Sequence, residues 1–427
     1  MFSHRGLLAR GGWLLAALLC ACAPPARAQE ALRESLAGEK AAAARKQALE
    51  NQTYNLKAGP VKLSFDTSLS VELNDNVNLS DVDPQGDLIL RPQLGTRLFW
   101  PLTEKNALNF SIGLGYAAYM RQTVYDRMFI TPDSELAFDL FVRDFRFTFF
   151  DRFSYSEDPL GNGAISGVGN YGGLNNTVGL NVLWDLNKAV LSAGYGHANF
   201  VSATSLYDYL NRASEQLFTR ASFLLNSTTA AGVEATGSQT AYDLSFLNDN
   251  TGWSAGVFLD WKLSPHLRFA GHVGYVSYDF QTQGIIGSAG NPNTYYFNLA
   301  LDHTLNRFLS YSLTAGREVQ LGTYSDFQEV FSVHLDTSWK IIKDLSLGTG
   351  LFYEHGYYPP VVVYLGPNPT FFFGDTYDRF GAALSLGYRL MKKLDANLGY
   401  RLTLKDSAKP NLNYTQNALT LGVTYHF

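Results

Sequence analysis

One pattern governs this chain from Val61 to its last residue: apolar and polar side chains alternate, and the alternation hardly pauses. Val61, Leu63, Phe65, Thr67, Leu69, Val71 and Leu73 interleave with Lys62, Ser64, Asp66, Ser68, Ser70, Glu72 and Asn74. A period of two is that of an extended strand whose two faces meet different surroundings. The same pattern runs through Leu108, Phe110, Ile112, Leu114 and Tyr116, through Val178, Leu180, Val182 and Trp184, and through Trp253, Ala255, Val257, Leu259 and Trp261. Eighteen segments carry it, the first near 60–74, the fourth near 134–142 and the last near 411–427.

The connections alternate too. Asp185–Lys188, Asn226–Thr228, Leu263–His266, Ile341–Asp344 and Met391–Lys393 are tight turns, whereas 157–171, 281–292 and 358–375 are wide loops rich in Gly, Asn, Pro and Asp. Short turns at one end and long loops at the other describe an up-and-down barrel that crosses an outer membrane, with turns in the periplasm and loops outside. The expected fold is therefore all-β: a closed antiparallel transmembrane barrel of about 18 strands, with 16 as the alternative, occupying 59–427. An even strand number puts both barrel ends on the periplasmic side. Composition agrees: only 17% of residues are charged, against roughly 25% in soluble domains, while 14% are aromatic. With 33 basic against 38 acidic residues and no basic tract, nucleic acid is excluded as a partner. Beyond the first 25 residues no apolar run approaches the ~18 to 20 residues of a spanning helix.

Trp100, Trp184, Trp261 and Trp339 sit on the apolar faces of even-numbered strands, just before short turns, and form a candidate girdle at the boundary between hydrocarbon and headgroups. The last strand reads Leu419, Leu421, Val423, Tyr425, Phe427 at alternate positions. With its aromatic end at Tyr425 and Phe427, it resembles the carboxy-terminal assembly signal of bacterial outer-membrane β-barrel porins. That resemblance implies the barrel assembly machinery as a partner and the outer membrane as the location. The opening strand, Ser70-Val71-Glu72-Leu73-Asn74-Asp75-Asn76-Val77-Asn78-Leu79-Ser80, is similar to that of the type-2 family of β-barrel porins, which implies a channel-like barrel and carries over no catalytic residue.

At the other end, Arg5 and Arg10 precede the apolar run Trp13–Leu19, and Ala26-Arg27-Ala28 forms a small-x-small site, so 1–28 reads as a secretory signal peptide. Cleavage there removes both cysteines, Cys20 and Cys22; processing at Cys22 as a lipoprotein is the competing expectation. Residues 29–58 are rich in helix formers and read as a periplasmic helical leader and linker.

If apolar positions face lipid, the alternate ones face the lumen. By that phase Lys62, Arg91, Arg97, Arg121, Arg146, Arg152, Arg389, Arg401 and Lys405 form one inward sector, and Glu234, Asp260, Asp302, Glu318 and Glu354 another. Asp66, Glu72, Glu135 and Asp139 interrupt the first, and Arg268, His334 and Lys340 the second. The pattern predicts a basic wall facing an acidic one, and with it a transverse field. No catalytic set, cofactor site or metal site is expected: His303 has no paired nucleophile, and Asp81-x-Asp83-x-Gln85-Gly86-Asp87 starts like a calcium loop but meets Pro92 where the closing glutamate belongs. The expected function is a porin-like channel passing small hydrophilic solutes, passively or with weak selectivity, in contact with the lipid bilayer. The alternative is an accessory barrel for polysaccharide export or surface adhesion. No loop is marked by its sequence as a constriction; the longest, Pro359–Phe373, is too apolar to lie in water and is expected either to extend as a hairpin packed on its own aromatics or to fold inward, cap the mouth or meet a partner.

Overall fold

The computed structural model describes residues 54–282, 284–363, 370–372 and 374–427. The signal peptide expected over 1–28, the alternatives at Ala28 and Cys22, and the helix expected within 29–50 lie outside the described residues.

Eighteen antiparallel strands make one closed sheet. The first six are β1 (Val61–Asn74), β2 (Asp87–Thr103), β3 (Asn106–Tyr119), β4 in two pieces (Arg127–Ile130 and Glu135–Val142), β5 (Phe145–Ser156) and β6 (Gly173–Asp185). There follow β7 (Ala189–Ser202), β8 (Arg212–Asn226), β9 (Thr229–Tyr242), β10 (Asn250–Ser264), β11 (Leu267–Phe280) and β12 (Asn293–Thr304). The last are β13 (Leu309–Leu321), β14 (Phe327–Ile342), β15 (Leu345–Tyr358), β16 (Asp375–Met391), β17 (Leu394–Ser407) and β18 (Tyr414–His426). Each strand pairs with its neighbours in sequence, and β18 closes on β1 from Asp66↔His426 to Asn74↔Ala418. Closure leaves no open edge in hydrocarbon, where an unpaired N–H or C=O costs several kcal/mol. Leu56–Ala58 folds back along the start of β1.

Two local departures from the alternation have plain causes. The fourth strand, expected near 134–142, begins earlier: Pro132 has no N–H to give the ladder, so the strand breaks after Ile130 and resumes at Glu135, bridged by Thr131 N–H to Gly113 O (2.9 Å) and Phe153 N–H to Ser134 O (3.1 Å). The turns expected at 263–266, 341–344 and 391–393 are shorter, because the strands run on to Ser264, Ile342 and Met391. Register slips by one residue at Lys262/Ser264, Lys340/Ile342 and Arg389/Met391, so a bulge supplies the extra residue and the added twist that a tight hairpin needs.

Burial is inverted relative to a soluble sheet. Leu217, Val257 and Leu421 are each more than half exposed, whereas Glu72, Glu234, Glu318, Arg379 and Lys405 are all buried. Soluble proteins seldom bury this many charged side chains or display rows of leucine. A wall with lipid outside and polar groups inside does both.

Candidate functional site: the lumen and its loops

Register fixes which side chains share the inner face, and the charges there meet across neighbouring strands. Arg91 Nη1 lies 2.6 Å from Glu72 Oε2, and Arg146 Nη2 lies 2.9 Å from Asp139 Oδ1, which also accepts from Thr148 Oγ1 at 2.6 Å. Arg152 stands 3.7 Å from Glu135. Glu234 is held by three groups: Arg220 Nη2, His272 Nδ1 and Tyr296 Oη each approach it at 3.0 Å. Arg268 grips Asp260 at 2.6 and 2.9 Å, Arg379 Nη2 meets Glu354 at 2.8 Å, and Arg389 Nε meets Asp395 at 3.3 Å. Asp302 accepts from Ser312 Oγ at 2.7 Å, and Glu318 accepts from Gln320. The expected basic and acidic walls are thus replaced by adjacent pairs, in which each sector carries its own countercharges.

Among the described residues, fewer of the candidates lack an ionic partner. Lys62 Nζ lies over the rings of Tyr54 (5.2 Å) and Phe99 (5.8 Å). Arg97 is exposed on the inner face, across from Ser64. Arg401 is half-buried, with its Nε unpartnered among the described residues. Arg121 differs from its expected place: β3 ends at Tyr119, so the inward phase runs off the strand and Arg121 is exposed at the rim, its N–H given to Asp87 Oδ1 at 3.0 Å. Two inward arginines, Arg220 and Arg379, are not singled out by the alternation, although each lies in phase with a neighbour that is.

Among the described residues, two loops join distant parts of the mouth. Loop 157–172, between β5 and β6, turns into the lumen through a short 3-10 turn at Pro159–Gly161, capped by Asp158 accepting from Leu160 N–H at 3.0 Å. Ala164 and Ile165 are fully enclosed. The loop ends on the far wall: Arg379 Nη1 donates to Leu160 O (2.8 Å), and Lys405 Nζ donates to Ala164 O (3.1 Å) and Ser166 Oγ (2.9 Å). Ser166 Oγ donates to Leu412 O, Gly167 N–H to Leu79 O, and Asn162 Nδ2 to Thr323 Oγ1. The second loop, 359–374, is the long apolar one, and Val361–Val363 pairs with Thr370–Phe372 as a short hairpin. Its Val361 packs with Tyr207, Leu210, Leu247 and Ile286, and Gly287 N–H donates to Val362 O at 2.6 Å. It thereby meets the loops that follow β7, β9 and β11. Beside this cluster Asp326 accepts from Asn248 Nδ2 and Ala289 N–H, both at 2.9 Å. Burial raises its carboxyl above the usual aspartate range.

The outer face holds a feature the alternation does not reveal. Trp100, Trp184, Trp261 and Trp339 lie exposed towards the short-turn end, with Trp184 stacked on Phe145 at 5.2 Å. Towards the long-loop end, outward polar groups pair with one another. Tyr195 Oη and His197 Nδ1 both reach Glu215, the latter at 2.8 Å; Tyr353 Oη and His355 Nδ1 both reach Asp378, at 2.7 and 2.9 Å. Arg317 meets Glu329 at 2.5 Å over the ring of Tyr295, and Tyr400 Oη donates to Asn417 Oδ1 at 2.7 Å. The legible signal is a Tyr-x-His on one strand with an acid directly opposite the histidine on the next. Tyr425 and Phe427 meet edge-on at 5.1 Å, both exposed.

No protein-family model and no curated protein matches the chain. Solved structures do match. OpdQ of Pseudomonas aeruginosa aligns with a TM-score of 0.50 at 9% identity, over 87% of this chain and 100% of that one. OccK2 (OpdF) of the same species gives 0.49 at 11% identity, over 86% and 98%. A BenF-like porin from Pseudomonas fluorescens Pf-5 gives 0.48 at 9%, over 86% and 99%. The fold is that of the bacterial outer-membrane porins.

Proposed function

We propose that this protein is an outer-membrane channel through which small hydrophilic solutes diffuse passively, with weak charge selectivity. One observation carries the reading: ionised side chains line the inside of a closed barrel whose outside is apolar, and barrels of about 16 to 18 strands are wide enough for an aqueous path. Because most inner charges are paired with a neighbour, the lumen is polar but close to locally neutral. Selectivity then rests on the few cations that lack an ionic partner among the described residues, and is weak. Loop 157–172 narrows the path.

Purified protein in planar bilayers should give stepwise conductance with a solute-size cut-off. Neutralising Arg91, Arg97 and Arg121 together should shift ion preference modestly, with Arg97 and Arg121 responsible for most of the change. Absence of conductance across repeated insertions overturns the reading.

A further inference from the structure

The ladder around the barrel is interrupted at one point on its outer rim. Between β12 and β13 the register runs from Thr304↔Ser310 only as far as Phe297↔Arg317, although β12 stays paired to β11 as far as Asn293, and β13 to β14 as far as Leu321. Across Asn293–Tyr296 and Glu318–Leu321 these two strands make no ladder pair among the described residues. Tyr278 N–H donates to Pro292 O at 3.1 Å, so alternate carbonyls of β12 point to β11 and that of Tyr295 points to β13. Continued register would set Val319 opposite it. Instead Tyr295 O accepts from Arg317, whose Nη1 also donates to Thr294 Oγ1 at 2.9 Å and whose Nη2 lies 2.5 Å from Glu329 Oε2. Tyr295 faces outward and is more than half exposed, whereas Thr294 shares the phase of the buried Tyr296. One side chain thus fills the gap from the outer face to the inner one.

The surroundings indicate what could pass there. Behind the seam, Val276, Tyr278, Phe280, Tyr296, Val319 and Phe327 form one buried cluster, with Phe280 stacked on Tyr278 at 5.8 Å and on Phe327 at 6.1 Å. In front of it, the Tyr295 ring stacks on Phe297 at 6.5 Å and lies 4.3 Å from the Arg317 guanidinium. Register sets Asn293 level with Ser277 and with the exposed Trp253. Indole and phenol rings collect at the boundary between headgroups and hydrocarbon, and small aromatic molecules partition to the same depth for the same reason. Water reaches that depth, so a short unpaired stretch of strand is tolerated there and not deeper. A cation on the outer wall is unfavourable unless its donors are used, and here they tie the two strands together.

We propose that β12 and β13 form a lateral portal, pinned by Arg317, through which small aromatic molecules pass between the outer leaflet and the ring cluster behind it. This route is separate from the path along the lumen, and its test does not depend on conductance. In lipid vesicles an apolar aryl diazirine should, on illumination, label Tyr278, Phe280 and Phe327, scored against the outward Tyr275, and a sulfonated, water-soluble aryl diazirine should not. Arg317→Met should raise apolar labelling of the cluster about tenfold, the factor that loss of a charge-assisted hydrogen bond allows. In a background lacking Cys20 and Cys22, a bismaleimide joining Asn293→Cys to Leu321→Cys across the seam should abolish that labelling, which keeps the test decisive if Arg317→Met does not fold. Stronger labelling of the cluster by the sulfonated probe means that the rings are reached from the lumen, and overturns the portal. Cluster rings left unlabelled by the apolar probe in the native protein overturn it too, as does labelling that the bridge leaves unchanged.

Discussion

Glu234 shows how a single residue is constrained by a wet lumen inside a membrane wall. It is buried, and it is tolerated because Arg220, His272 and Tyr296 supply a cation and two further donors. Glu234→Ala leaves the Arg220 guanidinium buried without its carboxylate, which should destabilise the barrel by about 3–5 kcal/mol. Urea unfolding in detergent would show the lowered midpoint, and an unchanged midpoint would contradict the role. Asp326 gives a prediction with a sign. Its pKa is raised in the docked loops, so the docked arrangement binds more protons than a released one. The associated stabilisation is fullest at or below the ordinary aspartate range and is lost as pH climbs through the raised value. Proteolysis of the loops around Asp326 should therefore slow as pH falls, and Asp326→Asn should flatten that dependence; a steep dependence surviving in the substituted protein contradicts it. Legibility is uneven at this scale. Leu73-Asn74-Asp75-Asn76 and Leu247-Asn248-Asp249-Asn250 read as strand-end turns, and each aspartate does accept a backbone N–H there, that of Asn417 for Asp75 and that of Tyr242 for Asp249. Their buried asparagines do more: Asn76 Nδ2 bonds Thr415 O, and Asn248 Nδ2 bonds Asp326, joining loops distant in sequence. Such partners leave no trace in local spacing.

Strands are legible because their period is physical: each side chain faces lipid or lumen according to parity alone. For the same reason parity groups Arg91, Arg146 and Glu234 with the polar neighbours they bond, but it does not reach Arg121, since parity persists in the sequence after the strand has ended at Tyr119. The bulged turns lie beyond reach because the slip at Lys262/Ser264 is a property of paired strands, not of either one. Loops are least legible. Loop 359–374 stands out by its apolar residues, and Val361 packs with Tyr207, Leu210, Leu247 and Ile286 of other loops. Loop 157–172 carries no such mark, because Gly, Asn and Ser look like solvated loop until the wall that receives them is known.

At the scale of the molecule, the barrel is a cylinder with two bands on its outside and paired ions within. Exposed tryptophans mark one rim, and the Tyr195–His197–Glu215 and Tyr353–His355–Asp378 groups approach the other. Between them run Leu180, Val257 and Leu421. A sheet of this size with polar groups inside and leucines outside has no stable solution in water, but closes without penalty in a bilayer. Spin labels on single cysteines in lipid vesicles test this most directly. Labels at Leu180, Val257 and Leu421 should relax with oxygen and ignore a water-soluble nickel chelate, while labels at the inward Ser64 and Ser192 should respond to the chelate. The reverse pattern, or equal access to the chelate at all five positions, would contradict the account.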